Sequence, residues 1–506
     1  MDNDHAAKRR RPSPHSPNGN IVRKDDGNDG SFVLKSMATP VSPPRKRRRE
    51  EADASRQELA TATPANVEST PHSSCTSLPA PPSQPSLRSP FQLTAIHDLP
   101  ASANVDAVTI RDVFGDPRVT ECWEFNFLHD VDFLMSAFHE EARHRGLAVH
   151  IVHGFWKRED PRREHLEAAV RQYAGDNSKD GNKTTINLHT AFMPEPLGTH
   201  HTKMAVVFRN DETAQVIIHT ANLIPHDWRN MTQAVWRNDP DRIGRQFKHD
   251  FLGYLRSYNQ KRSVCKPLVD VLGRYDFSAV RETTTKQMAS FGPLQPQQQK
   301  LPPRPQFRIM FPTADEIRRS LEGYDSGSSI HAKIKSPQQQ KQLAYMRPML
   351  CHWANDADDG AALPPIKSSC VGDAKRRRAA PHVKTYVRYS NSSDGCHVDW
   401  ALMTSANLSK QAWGEARSAG GEMRIASYEL GVLVWPELLT GNAETTMQPV
   451  FGRDDWGDSN AVASNMTVPL RIPYSLPVQG YGPGEIPWVA TLPHSEPDWR
   501  GATAIV

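Results

Sequence analysis

The sequence predicts an α/β fold of two similar halves related by a pseudo-twofold axis, with an active site where the halves meet. Three observations predict it. A motif of H-x-K, two apolar runs and [ST]-A-N-L occurs twice, its copies 181 residues apart. Helix-spaced and strand-like apolar segments alternate through the body of the chain. A Pro/Gln-rich stretch divides that body into segments of near-equal length.

Composition sets the organisation of the 506 residues. Residues 1–90 hold 13 of the 41 prolines and a single aromatic, Phe32. They cannot bury enough apolar surface to offset chain entropy, so 1–89 read as a disordered leader. The same residues carry 14 basic and 10 acidic side chains, which is the whole net charge of +4. Two basic clusters, 8–11 (KRRR) and 45–49 (RKRRR), read as nuclear import signals. The body is electrically balanced, so any nucleic-acid site in it must be a local groove. Residues 90–290 form a first domain, 291–305 a linker and 306–506 a second domain.

Several classes are excluded. No run approaches the roughly 18–20 apolar residues of a membrane span. The six cysteines are scattered with no C-x-x-C pair, which predicts neither a disulfide framework nor a zinc ribbon and makes a reducing compartment the default.

Along the first domain, 130–145 have the apolar spacing of one helix, and 147–153 (LAVHIVH) read as a buried strand. Residues 204–208 and 214–219 are two apolar runs around a polar turn, a hairpin. In the second domain, 385–389 and 401–403 form the equivalent pair. Thr313 N-caps a helix over 313–321, and the hydroxyls and backbone of 324–329 (YDSGSS) are available to phosphate. The basic run Lys375, Arg376, Arg377 and Arg378, just before the second motif, is a candidate DNA-backbone contact or a solvated loop.

The first motif copy is His201-x-Lys203, ending in Thr220-Ala221-Asn222-Leu223; the second is His382-x-Lys384, ending in Ser405-Ala406-Asn407-Leu408. On a strand, alternation puts His and Lys of H-x-K on one face, and the returning strand brings Asn beside them. Two halves then supply two His, two Lys and two Asn to one cleft. Two cations and two amides suit the non-bridging oxygens of a phosphodiester, while two imidazoles flank the phosphorus, one attacking and one protonating the leaving oxygen. A metal reading of His200, His201, His219 and His226 lacks a carboxylate cluster at ligand spacing.

This double motif resembles the phospholipase D superfamily. Most members place an aspartate five residues after the lysine, where this chain has Phe208 and Tyr389. That absence, with GTHHTKM at 198–204, PHVKTY at 381–386, SYELGVL at 427–433, VPLRIPYS at 468–475 and IPW at 486–488, is similar to the tyrosyl-DNA phosphodiesterase family. The resemblance implies two α-β-α sandwich domains and a cofactor- and metal-free reaction. It implies His201 as nucleophile, forming a phosphohistidine with the DNA 3′ end, and His382 as the general acid and then base. Lys203, Lys384, Asn222 and Asn407 would bind phosphate. Glu429 would orient His201 and Gln233 would orient His382, so that a carboxylate reaches only one of the two histidines and gives them different protonation states. The implied substrate is DNA, single-stranded or nicked, whose 3′ phosphate is joined to a topoisomerase I-derived peptide or other block, acted on by a nuclear monomer with no membrane partner.

Two departures accompany the resemblance. Leu197 stands where the family has a base-stacking aromatic. The stretch from 277 to 313 is shorter than the family's, leaving Ser290 as the remnant of a serine-bearing DNA contact. The shortening is either an incomplete gene model or a loss that exposes a sheet edge and impairs the DNA groove. The alternatives are therefore a phospholipase D-type nuclease or lipid hydrolase, and a DNA-binding protein without turnover.

Overall fold

The computed structural model describes residues 35–36, 87–177, 183–193, 195, 198–237, 245–260, 262–276, 306–330, 332–355, 370–390, 396–414, 425–456 and 467–504. Leu197, Ser290, the basic clusters at 8–11 and 45–49, the proposed linker and the shortened stretch from 277 to 305 lie outside the described residues.

The first half is built on a seven-stranded sheet. Its strands are β1 (Gln92–Leu93), β2 (Val119–Phe125), β3 (Ala148–His153), β4 (Thr185–Thr190), β5 (Met204–Arg209), β6 (Ala214–His219) and β7 (Ala234–Arg237), in the order β1-β7-β6-β5-β2-β3-β4. The hairpin expected from the polar turn is β5–β6, antiparallel with Met204 opposite Ile218 and Phe208 opposite Ala214. Both faces are covered, as the period-2 alternation of β5 demands. Met204, Val206 and Phe208 face one core with Phe251, Leu255 and Leu268, from helices Arg245–Ser257 and Lys266–Leu272. Ala205 and Val207 face another with Val131, Leu134 and Leu166. The result is a helix–sheet–helix sandwich.

The helix expected over 130–145 is two helices, α1 (Val131–Ala137) and α2 (Glu140–Arg145). Asp130 caps the first, its side chain accepting from the Phe133 N–H, and the His139 side chain caps the second. The apolar spacing runs through the break because both helices face the same core, which hides the break from periodicity.

In the second half, β8 (Thr385–Tyr389), β9 (Val398–Thr404) and β10 (Gly431–Val434) form an antiparallel sheet, with Thr385 opposite Met403 as expected. It is smaller than the first sheet among the described residues. Beside it β11 (Thr446–Val450) and β12 (Thr467–Arg471) pair in parallel. Val398, Ala401, Met403 and Val432 join the same continuous core as Val206 and Phe251, so apolar packing runs from one half into the other. Thr313 caps a helix as expected through a capping box with Glu316, but the helix is shorter, Ala314–Arg318.

Two expectations are corrected. Cys370 and Cys396 are joined in a disulfide, their Cα atoms 5.3 Å apart; sequence spacing does not reveal that the chain returns beside Cys370 before entering β9. Within the leader, Lys35–Ser36 pair in parallel with Tyr275–Asp276 in a separate two-stranded sheet, and the Ser89 N–H donates to the Asp454 carbonyl at 2.7 Å.

Candidate active site

Each motif histidine is docked by backbone hydrogen bonds onto the opposite half. The H-x-K residues precede β5 and β8 and lie outside the strands themselves. Thr199–His200 pair in parallel with Ser427–Tyr428, and the His201 N–H donates to the Tyr428 carbonyl at 3.0 Å. Reciprocally, the N–H groups of His382 and Val383 donate to the Thr232 carbonyl at 3.0 and 2.9 Å. The first dock needs a glycine: a Cβ on Gly154 would lie 2.3 Å from the His200 Cβ. The returning strands close on the lysines as expected, with His219 N–H donating to the Lys203 carbonyl at 3.1 Å and Thr404 N–H to the Lys384 carbonyl at 3.0 Å.

Docking brings the paired side chains together. Glu429 Oε2 accepts from His201 Nδ1–H at 3.0 Å, and Ser405 Oγ donates to the same oxygen at 2.5 Å. Gln233 Nε2 lies 3.0 Å from His382 Nδ1, and Gln233 Oε1 accepts from Thr220 Oγ1 at 2.8 Å. The opening hydroxyl of each [ST]-A-N-L thus holds the residue that meets a histidine from the other half. Phe127 packs edge-on against His201, ring centroids 5.8 Å apart.

Burial pushes the Lys203 ammonium down to about 8. Burial and the nearby Lys203 hold Lys384 well below its ordinary value. Their side-chain nitrogens donate to backbone, Lys203 to the His201 carbonyl at 3.2 Å and Lys384 to the His382 carbonyl at 2.6 Å. Burial, then Lys203, lowers His201 to about 4, against the pull of Glu429. Burial, then Lys384, lowers His382 to about 3. Each lysine acts on both histidines, so the four side chains lie within electrostatic reach of one another. Asn222 is buried with no partner for its side-chain oxygen among the described residues, whereas Asn407 is exposed.

The expectation that only one histidine meets a carboxylate is overturned. Asp227 Oδ2 lies 3.0 Å from His382 Nδ1, and its side chain is fully buried. Burial pushes its carboxyl up, but the His382 and His226 imidazoles and the Asn222 N–H hold it well below the usual carboxylate range. The signal was present in the repeat. Extended past Asn-Leu, both copies reach a tryptophan, Trp228 and Trp413, and the residue before it is Asp227 in one and Ala412 in the other.

The basic run is also corrected. Arg376 is 1% exposed and donates to the Thr94 carbonyl of the first half at 2.7 Å. Burial and the neighbouring Arg471 lower its guanidinium to about 9. It fastens the halves and cannot meet a phosphate at the surface. Lys375 and Arg377 are exposed, the first donating to the Ser102 carbonyl at 3.2 Å and the second 3.7 Å from Asp373; Arg378 is half-buried. The turn Gly323–Ser329 is likewise structural: Ser326 is buried, Tyr324 Oη donates to the Glu496 carbonyl and Ser329 Oγ to Asp227 Oδ1. Among the described residues, no group of three or more His, Cys, Asp or Glu side chains is arranged to hold a metal ion, and no helix is long and apolar enough to cross a membrane.

Two H-x-K motifs meeting between two α/β halves define a phosphodiesterase with a phospholipase D-like fold. The tyrosyl-DNA phosphodiesterase family model matches residues 90–285 and 281–482, and the chain belongs to that family. The junction of the two matched blocks falls within the shortened stretch. A probable tyrosyl-DNA phosphodiesterase of Schizosaccharomyces pombe is 28% identical, over 82% of this chain and 95% of the relative. Tyrosyl-DNA phosphodiesterase 1 of Arabidopsis thaliana is 27% identical, over 82% of this chain and 76% of its own. The fold matches the crystal structure of the yeast tyrosyl-DNA phosphodiesterase with a TM-score of 0.53, at 17% identity over 79% of this chain and 98% of that one.

Proposed function

We propose that this enzyme hydrolyses the bond between a DNA 3′ phosphate and a tyrosine, including one left by topoisomerase I, through a phosphohistidine at His201. The observation that carries the proposal is the cross-half pairing of two histidines, His382 buried and His201 partly so, with Lys203 and Lys384 acting on both. Glu429 accepts Nδ1–H of His201, which leaves Nε2 with its lone pair toward the phosphorus. As the Nε2–P bond forms and the P–O bond to tyrosine breaks, His382 gives its Nε2 proton to the departing phenolate. Glu429 then faces an imidazolium and stabilises it. A water replaces tyrosine, loses its proton to His382 and attacks phosphorus. The N–P bond breaks, leaving a DNA 3′ phosphate and a neutral His201. Lys203, Lys384 and Asn222 fit the non-bridging oxygens, and the exposed Asn407 joins them from the edge of the site.

The substrate we assign is a single-stranded or nicked 3′ end and the enzyme acts as a monomer. The basic clusters at 8–11 and 45–49 support a nuclear address. The test is an oligonucleotide carrying a 3′-phosphotyrosine, incubated with excess chelator. Release of tyrosine that is lost in His201→Ala supports the proposal. No release, with cleavage of a short-chain phospholipid instead, favours a lipid hydrolase, and binding without turnover favours a DNA-binding protein.

A further inference from the structure

The role of His382 assigned above, on which this inference rests, fixes what its Nδ1 must do. As the acid, the ring carries hydrogen on both nitrogens. As the base, its Nε2 is bare and the remaining hydrogen is on Nδ1. In both forms Nδ1 is a donor and needs an acceptor beside it. Two side chains lie 3.0 Å from it, Gln233 through its amide nitrogen and Asp227 through Oδ2. The Gln233 nitrogen is itself a donor, and the Gln233 oxygen is engaged by Thr220. Only the carboxylate has the required character.

We propose that Asp227 is the positioning residue of His382: it accepts Nδ1–H, sets the tautomer that acts as base and supplies the counter-charge of the imidazolium that acts as acid.

The surroundings of Asp227 suit that task. Its Oδ2 also accepts the Asn222 N–H at 2.6 Å, and its Oδ1 accepts from Ser329 Oγ at 3.1 Å, so it cannot rotate away. The same carboxylate therefore places both the acid and one phosphate-binding amide. His226 Nδ1 lies 3.4 Å from Oδ1, and its other nitrogen faces the Asp325 carbonyl at 3.1 Å and Glu322 at 3.5 Å. His226 is partly exposed, which gives the buried pair a titratable link toward solvent. The charged groups acting on His382 are Asp227, Lys384 and Lys203. In the empty site the lysines oppose protonation of His382; a phosphodiester between them offsets their charge and leaves Asp227 to favour the imidazolium. Asp227 is fully buried while Glu429 retains some exposure, so the charge of Asp227 is the less screened by solvent. The two histidines thus differ in the burial of their carboxylates, and both have one.

The test compares two leaving groups. Asp227→Asn and Gln233→Ala are assayed with oligonucleotides ending in 3′-phosphotyrosine and in 3′-p-nitrophenyl phosphate, whose phenolate leaves without a proton. In single-turnover assays Asp227→Asn is expected to lose about 10²–10⁴-fold in the rate of tyrosine release, and at least about tenfold less in the rate of the nitrophenolate burst. It accumulates the His201 adduct from the nitrophenyl substrate, because the base is also misplaced. Removing the carboxylate lowers the pKa of His382 in the complex, so the alkaline limb of kcat on the tyrosyl substrate moves to lower pH. Thermal unfolding and near-UV circular dichroism report whether the variant is folded. Equal losses on both substrates at every pH would overturn the proposal, as would a leaving-group-dependent loss in Gln233→Ala with none in Asp227→Asn. If Asp227→Asn does not fold, the Gln233→Ala ratio decides: an unchanged ratio supports Asp227, and a leaving-group-dependent loss assigns the role to Gln233. Tyrosine release by the unaltered chain checks the function itself and is read separately.

Discussion

His201 and Glu429 are 228 residues apart in the chain and meet at 3.0 Å, imidazole from one half and carboxylate from the other. The contact exists because Ser427–Tyr428 add as a parallel strand to Thr199–His200, so one short backbone pairing aligns both residues. Ser405 fixes the carboxylate from behind. Glu429→Gln retains the shape but removes the charge that stabilises the imidazolium. Its kcat is expected to fall by about 10²–10⁴-fold, with KM little changed, in steady-state release of tyrosine.

Binding should weaken with alkali. Burial lowers Lys203 to about 8, and a phosphate bound beside it would raise that value. Above pH 8 the free site loses its charge while the bound site keeps it, so affinity falls. The Kd of a 3′-phosphate oligonucleotide should rise about eightfold between pH 7.5 and 9, and Lys203→Met should abolish the Lys203 part of that dependence.

Acid should unfold the protein over a defined window. Burial depresses His153, His200, His219 and His382 to about 3 and His201 to about 4. Between these values and the unfolded 6.5, the unfolded chain binds more protons, so stability falls as pH drops. Each group contributes a slope of up to about 1.4 kcal/mol per pH unit. Thermal unfolding should show Tm nearly flat above pH 7 and falling steeply from pH 6 toward 4.

Gly154→Ala tests the dock behind His201. Its Cβ would lie 2.3 Å from the His200 Cβ, so the strand carrying His201 must move. Stability should drop by about 1–3 kcal/mol in denaturant melts, and turnover should fall by more than the folded fraction accounts for.

Arg376→Ala separates fastening from DNA contact. It removes a buried side chain and its bond to the Thr94 carbonyl, so a loss of about 2–5 kcal/mol is expected. The slope of log Kd for DNA against log salt should stay unchanged, because a buried guanidinium neutralises no phosphate.

The paired His and Lys residues were legible because the repeat is written in sequence, and antiparallel return of a strand fixes which ends meet; the exposure of Asn407 was not. The partners Glu429 and Gln233 were legible only through resemblance, since nothing in a strand glutamate announces that it crosses to the other half. Asp227 was missed because its meeting with His382 depends on Thr232 bridging to Pro381, a contact between segments with no pattern in common. The basic run misled for a related reason. Charge density does not say which face a loop presents, and Arg376 points inward between Lys375 and Arg377, which are exposed.

The central claim is that a histidine pair assembled from two halves breaks the phosphodiester through a covalent bond at His201. The most direct measurement uses His382→Asn with a 3′-p-nitrophenyl phosphate oligonucleotide, acid-free digestion and peptide mass spectrometry. The account predicts a burst of nitrophenolate close to one per enzyme and a nucleotide-linked peptide with the mass increment on His201. A burst with no adduct, or an adduct on another residue, would contradict it.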